Sequence, residues 1–141
     1  MAFLFIPILL LIAIHDLRTH RIPNWMNLIL FCISSIYVVS NLKVNPFAIL
    51  QGATGAAVVL SILIMIGVFS RGGLGGGDIK MATSLAFASA SRSWTVLFEA
   101  WINVGLIAGL MGVWIMISGK PRNQAIAFGP ALGLGYLWVL V

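Results

Sequence analysis

Asp16 and Asp78 are the only two aspartates in a chain of 141 residues that is 61% hydrophobic and 8% charged. Each stands at the end of an apolar segment. A carboxylate near hydrocarbon costs several kcal/mol unless it is paired, hydrated or protonated, so an acid kept at that depth marks a candidate functional site. Two carboxylates brought close together cannot both ionise cheaply; they share a proton and titrate as a coupled pair. Such a pair can hydrolyse a peptide bond. The ionised member takes a proton from water as the water attacks the carbonyl, and the protonated member hydrogen-bonds the carbonyl oxygen. That chemistry requires no metal, no cofactor and no covalent nucleophile.

Around the first acid the chain reads His15-Asp16-Leu17-Arg18-Thr19-His20-Arg21-Ile22-Pro23-Asn24-Trp25. Pro23 biases the chain to leave a first helix before it, and Asn24 can cap a second. The plain alternative is a hydrated turn with a weak Asp–Arg ion pair. Around the second acid the run is Arg71-Gly72-Gly73-Leu74-Gly75-Gly76-Gly77-Asp78-Ile79-Lys80. Its ordinary reading is a flexible loop. A phosphate-binding loop fits less well, because Gly-Lys followed by Ser or Thr is absent. A third reading is that glycine lets the backbone approach a second carboxylate and a peptide substrate, with Asp78 opening a helix whose dipole favours negative charge.

Other chemistries find little support. A zinc protease of the His-Glu-x-x-His kind is not encoded, and His15 and His20, five residues apart, do not share a helical face as residues four apart do. They read as interfacial polar residues. The single cysteine, Cys32, excludes an internal disulfide and a Cys-rich zinc site, and in its apolar run it reads as a small core residue. The net charge of +5 could suggest nucleic acid, but the bases lie singly or in twos at segment ends, as anchors of helices do.

The elements that must position the two acids are helices. Apolar runs of roughly membrane-spanning length predict six, over 1–17, 24–41, 46–70, 78–91, 94–118 and 125–141. The fold class is therefore all-α, a polytopic integral membrane protein forming one domain over 1–141. The opening run has no basic residue before it and no small-residue cleavage site, so it reads as the first helix and not as a signal peptide. The loops after helices one, three and five hold Arg18 and Arg21, Arg71 and Lys80, and Lys120 and Arg122; the intervening loops hold only Lys43 and Arg92. By the positive-inside rule the first set is cytoplasmic, and both aspartates share that face. Small residues at Gly52 and Ala56, Gly105 and Gly109, and Gly129 and Gly133 predict close packing between helices.

An Asp at the end of the first helix followed by Ile22-Pro23-Asn24, with Gly75-x-Gly77-Asp78-x-Lys80 in mid-chain and Phe128-Gly129-Pro130-Ala131-Leu132 near the end, resembles the type IV prepilin peptidases. The match in order and spacing spans almost the whole chain. The resemblance implies that Asp16 and Asp78 are the catalytic aspartates of a Gly-x-Gly-Asp aspartic protease, with Gly75, Gly77 and Lys80 supporting the second. It also implies prepilin-like substrates, cut at the cytoplasmic face of the inner membrane. Larger members carry a cytosolic insertion with paired cysteines and methylate the new N-terminus; this chain has neither, so cleavage without methylation is expected. The short form is most similar to peptidases of tight-adherence (Flp-type) pili, with small archaeal preflagellin peptidases of similar size. The presenilin class shares Gly-x-Gly-Asp and Pro130-Ala131-Leu132 but has Tyr where this chain has His15. A reading from another class is a small ion- or proton-coupled transporter or pilus-assembly subunit, favoured by Glu99 within the fifth helix. A transporter would more naturally place its acids near the midplane, often with an internal repeat.

Overall fold

The structure is a computed structural model that describes residues 2–70, 74–118 and 128–140. Among them there are helices and no strands: a 3-10 turn at Ala2–Leu4, then α1 (Phe5–Thr19), α2 (Asn24–Asn41), α3 (Ala48–Phe69), α4 (Gly76–Arg92), α5 (Trp94–Ile117) and α6 (Gly129–Leu140). The six expected helices are all present. Their bounds differ from the sequence reading by a few residues, and the expected start of α6 at 125 lies outside the described residues. Arg71, Lys120 and Arg122, used to orient the chain, also lie outside them.

Three helices, α2, α3 and α5, are long and apolar enough to cross a membrane. The other three are shorter, and they carry the two aspartates and the glycine-rich motifs. The middle of the bundle is α4, which packs against α2, α3, α5 and α6. Its composition explains that place. Met81, Ala82, Leu85, Ala86, Ala88 and Ala90 are all fully buried, and the small side chains let neighbouring backbones approach. The facing helix answers in kind: a Cβ on Gly52 of α3 would lie 2.8 Å from the Phe87 carbonyl oxygen, and one on Gly55 would overlap Ala90. Around this contact lies a core of Phe5, Leu9, Ile12, Leu30, Leu132 and Tyr136.

Two sequence expectations about packing do not hold. Gly105 and Gly109 of α5 have open space where a Cβ would stand, so this glycine pair joins no helices among the described residues. Cys32 is exposed, because its side of α2 faces away from α4. In both cases helix periodicity gives the spacing of a face but not what covers it. The Gly129 and Gly133 pair does lie in a contact, against Asp16 and Leu9 of α1.

Alternation of the helices places the ends of α1, α3 and α5 and the starts of α2, α4 and α6 at one end of the bundle. That end holds both aspartates. At the opposite end Asn41 Nδ2 donates to Ser91 Oγ (3.1 Å), Asn45 Nδ2 donates to the Ser91 carbonyl (3.2 Å), and Arg92 donates to the Val139 carbonyl (3.1 Å). These bonds tie α2 to α4 and α4 to α6. Glu99, in the second turn of α5 near this far end, is exposed.

Candidate active site

Asp16 sits in the last turn of α1 and is 4% exposed. Its burial contradicts the plain reading of a hydrated surface turn. The carboxylate is held by the first residue of α6: the Gly129 N–H donates to Asp16 Oδ2 at 3.0 Å. A helix begins with N–H groups that have no partner inside the helix, and its dipole favours an anion there. Pro130 follows without harm, since a proline in the first turn lacks only a hydrogen that the helix does not use. Gly129 has a second role. A Cβ there would stand 2.7 Å from Asp16 Oδ2 and 3.1 Å from its Cγ, so no larger residue fits against the carboxylate.

The chain after Asp16 is folded into a tight return. The His20 N–H donates to the Asp16 carbonyl at 2.8 Å, with His20 in the left-handed region at φ 51°. Thr19 Oγ1 lies 3.0 Å from His15 Nδ1 and 3.1 Å from the Arg21 carbonyl, and His15 Nδ1 lies 3.0 Å from that same carbonyl. His15 thus braces the turn. The return delivers Ile22 against α4, where a Cβ on Gly77 would meet the Ile22 Cβ at 2.9 Å and its carbonyl oxygen at 3.0 Å. Gly77 is needed for that approach.

Asp78 lies in the first turn of α4, at the helix start expected from the sequence. Gly76 and Gly77 belong to that helix, and the loop reading fails for these two residues. Gly75 precedes it, and a Cβ there would stand 3.1 Å from Asp78 Oδ2. Asp78 is half-buried, and its Oδ1 is buried without a hydrogen-bond partner among the described residues. Asp78 at the start of α4 and Asp16 in the last turn of α1 stand at the same end of the bundle. Lys80 is on the helix, not in the preceding loop. Its Nζ donates to Asn24 Oδ1 at 2.8 Å.

That bond corrects the role expected of Asn24. Pro23 occupies the N-cap position of α2 and the Asn24 side chain makes no cap; it reaches across to α4. One turn further on, Asn27 Nδ2 donates to the Gly77 carbonyl at 3.2 Å, next to Asp78. Asn27 was not singled out from the sequence. The available signal was its place three residues after Asn24, on the same face of a helix that is otherwise apolar there. The hold of Gly129 on Asp16 was also missed, because 113 residues separate the two. Among the described residues no group of three His, Cys, Asp or Glu side chains could hold a metal ion.

The fold and site together define a helical membrane bundle with a pair of carboxylates gathered at one end by glycine-rich helix starts. The chain belongs to the type IV leader peptidase family, whose model matches residues 3–117. It is 28% identical over 136 residues to the prepilin leader peptidase/N-methyltransferase of Bacillus subtilis (strain 168), a match covering 95% of this chain and 52% of the relative. The chain therefore spans about half the length of that curated relative. No solved structure matches it.

Proposed function

We propose that this chain is a membrane-embedded aspartic endopeptidase that removes the N-terminal leader of type IV prepilins, of the Flp-like kind, at the cytoplasmic face of the inner membrane. The observation that carries the reading is the gathering of the only two aspartates at one end of the bundle, in a member of the leader peptidase family. Residues 1–141 act as one peptidase domain, and Asp16 and Asp78 are its catalytic pair. Gly75 and Gly77 let the start of α4 close on the site, and Lys80 fixes α4 to α2 through Asn24. The Gly129 N–H holds Asp16 in place while water is activated between the carboxylates. The cytoplasmic orientation is supported by the distribution of bases in the sequence, where Arg18, Arg21, Arg71, Lys80, Lys120 and Arg122 fall on the side of the aspartates and only Lys43 and Arg92 on the other.

The reaction needs one proton held between two acids. The ionised carboxylate takes a proton from water as oxygen attacks the scissile carbonyl carbon. The protonated carboxylate donates a hydrogen bond to the carbonyl oxygen, and the leaving amine receives a proton as the C–N bond breaks. Cleavage proceeds without N-methylation. The test is co-expression of the chain with a prepilin from the same genome, with the substrate followed by gel mobility and its new N-terminus by mass spectrometry. Cleavage by the wild type with an unmethylated product is expected. Failure to cut any candidate would overturn the peptidase reading, and a methylated product would overturn the narrower one.

A further inference from the structure

A groove of ≈ 390 Å³ runs over α4 between α2 and α3. Leu28 and Phe31 of α2 and Leu60 of α3 line it, all exposed, so the wall that an occupant would touch is largely hydrocarbon. The hydroxyls beneath are satisfied within α4: Thr83 Oγ1 donates to the Ile79 carbonyl at 2.7 Å, and Ser84 Oγ to the Lys80 carbonyl at 3.0 Å. Asn27 is buried below them, with Nδ2 on the Gly77 carbonyl and Oδ1 out of an occupant's reach. An apolar chain laid along the groove breaks no hydrogen bond and leaves no donor short of a partner.

One end of the groove is different. Asn24 opens α2 and Lys80 lies near the start of α4, so both stand at the aspartate end of the bundle, and both are exposed. Lys80 Nζ donates to Asn24 Oδ1 at 2.8 Å, which uses one of the three donors of the ammonium. Among the described residues the amide hydrogens of Asn24 are also still available. Phe31 stands two turns into α2 and Leu60 more than two turns from the end of α3, roughly 10 and 13 Å from that end at 1.5 Å per residue. A cation with spare donors therefore sits at the mouth, and an apolar trough leads from it toward the middle of the bundle.

A free anion would use the mouth and leave the trough uncovered. An apolar helix would cover the trough and make no use of the cation. A phospholipid matches both parts, since its phosphate oxygens accept hydrogen bonds and oppose the charge of Lys80, while an acyl chain needs no bond at all. We infer that this groove holds one anionic phospholipid, with its phosphate on Lys80 Nζ and Asn24 Nδ2 and an acyl chain along Leu28, Phe31 and Leu60. A net negative headgroup is favoured because a zwitterionic one carries its own cation in competition with Lys80. Basic pockets between helices at the cytoplasmic face hold such headgroups, and the orientation proposed above puts this end there. The site goes beyond the peptidase reading and does not depend on it. It bridges α2 and α4 two residues from Asp78.

The test uses the full chain, purified and reconstituted in vesicles of equal parts phosphatidylglycerol and phosphatidylcholine with the same acyl chains. p-Benzoylphenylalanine replaces Leu28 at the rim of the groove or, in a second protein, Ile102 of α5; the two positions are 64% and 63% exposed. Cross-linked lipids are counted by mass spectrometry. The expected ratio of phosphatidylglycerol to phosphatidylcholine is about fivefold higher at 28 than at 102, the scale of one lysine beside an anionic lipid. Lys80→Gln removes that excess and Lys80→Arg keeps it. Arg18→Gln, which takes away another exposed base at the same end, leaves it unchanged. Equal ratios at 28 and 102 without any change at Lys80 overturn the site, as does an excess that survives Lys80→Gln. An excess lost equally in the Lys80→Gln and Arg18→Gln proteins overturns it as well, since it reports net charge alone. Cross-links from position 28 to a second copy of the chain in place of lipid do the same.

Discussion

The two ends of the α2–α4 pair use polar groups in opposite ways. At the far end, Asn45 Nδ2 donates to Gln51 Oε1 at 2.7 Å and to the Ser91 carbonyl, its Oδ1 accepts from the Phe47 N–H at 3.0 Å, and Asn41 and Arg92 have partners as well. At the aspartate end, two buried oxygens have no partner among the described residues. Asn27 binds Gly77 with one atom and leaves Oδ1 free, while Asp78 has one oxygen buried without a partner. Saturated networks fix helices; unsaturated ones leave capacity for a ligand and hold free energy against its arrival. Among the described residues, the polar cross-links are saturated at one end of this helix pair and leave buried oxygens unpaired at the other.

The comparison can be broken most forcefully at the acids. Asp16→Asn and Asp78→Asn should each lower cleavage by about a thousandfold or more, the scale of losing a positioned acid or base, while membrane levels match the wild type. Substrate conversion on a gel and the protein by immunoblot measure both quantities, and retained cleavage in either variant would remove the dyad. Gly129→Ala comes next. Its Cβ would displace the Asp16 carboxylate, and a shift of that kind is expected to lower kcat by 10- to 100-fold. KM should stay near the wild-type value, and a change in KM alone would show that Gly129 shapes binding instead of holding Asp16.

At the far end the same kind of damage should read out differently. Asn45→Ala removes three hydrogen bonds and should cost about 1–3 kcal/mol of stability. A lower unfolding midpoint in detergent, with kcat/KM unchanged at a temperature where the protein is folded, is the expected pair of results; a loss of kcat would mean that the two ends are coupled. The smallest effect belongs to Glu99→Gln. Its side chain is exposed and remote from the aspartates, so cleavage should stay within about twofold of wild type, a surface substitution of at most a few tenths of a kcal/mol.

Much of the architecture was legible before any coordinates. In a bilayer every backbone group must be bonded within its own segment, so apolar runs and the Pro and Gly that interrupt them mark helices closely. The start of α4 followed from Gly77 and Asp78, and the shared end of the two acids followed from counting helices. The centrality of α4 was not legible, because it depends on small side chains fitting around one another and not on apolarity. The Asn24–Lys80, Asn27–Gly77 and Asp16–Gly129 bonds join residues 56, 50 and 113 positions apart, and no local pattern announces them. Asn24 shows the error most clearly. Its position after Pro23 satisfies every local rule for a cap, yet its side chain has a cation to meet across the helix pair. Cys32 and Gly105 failed for the converse reason: an apolar run and a helical spacing do not say which face is covered, and among the described residues nothing covers theirs.

The bond from Gly129 to Asp16 closes the bundle as a clasp closes a ring, joining the first α-helix of the chain to the sixth. A ribosome must pass residue 129 before the group that restrains Asp16 exists at all. During insertion, the earlier five helices can bring the two aspartates together but cannot complete the arrangement seen here. The timing of site assembly is thereby written into chain order: the acid is made among the first residues, and its restraint arrives only with the sixth helix.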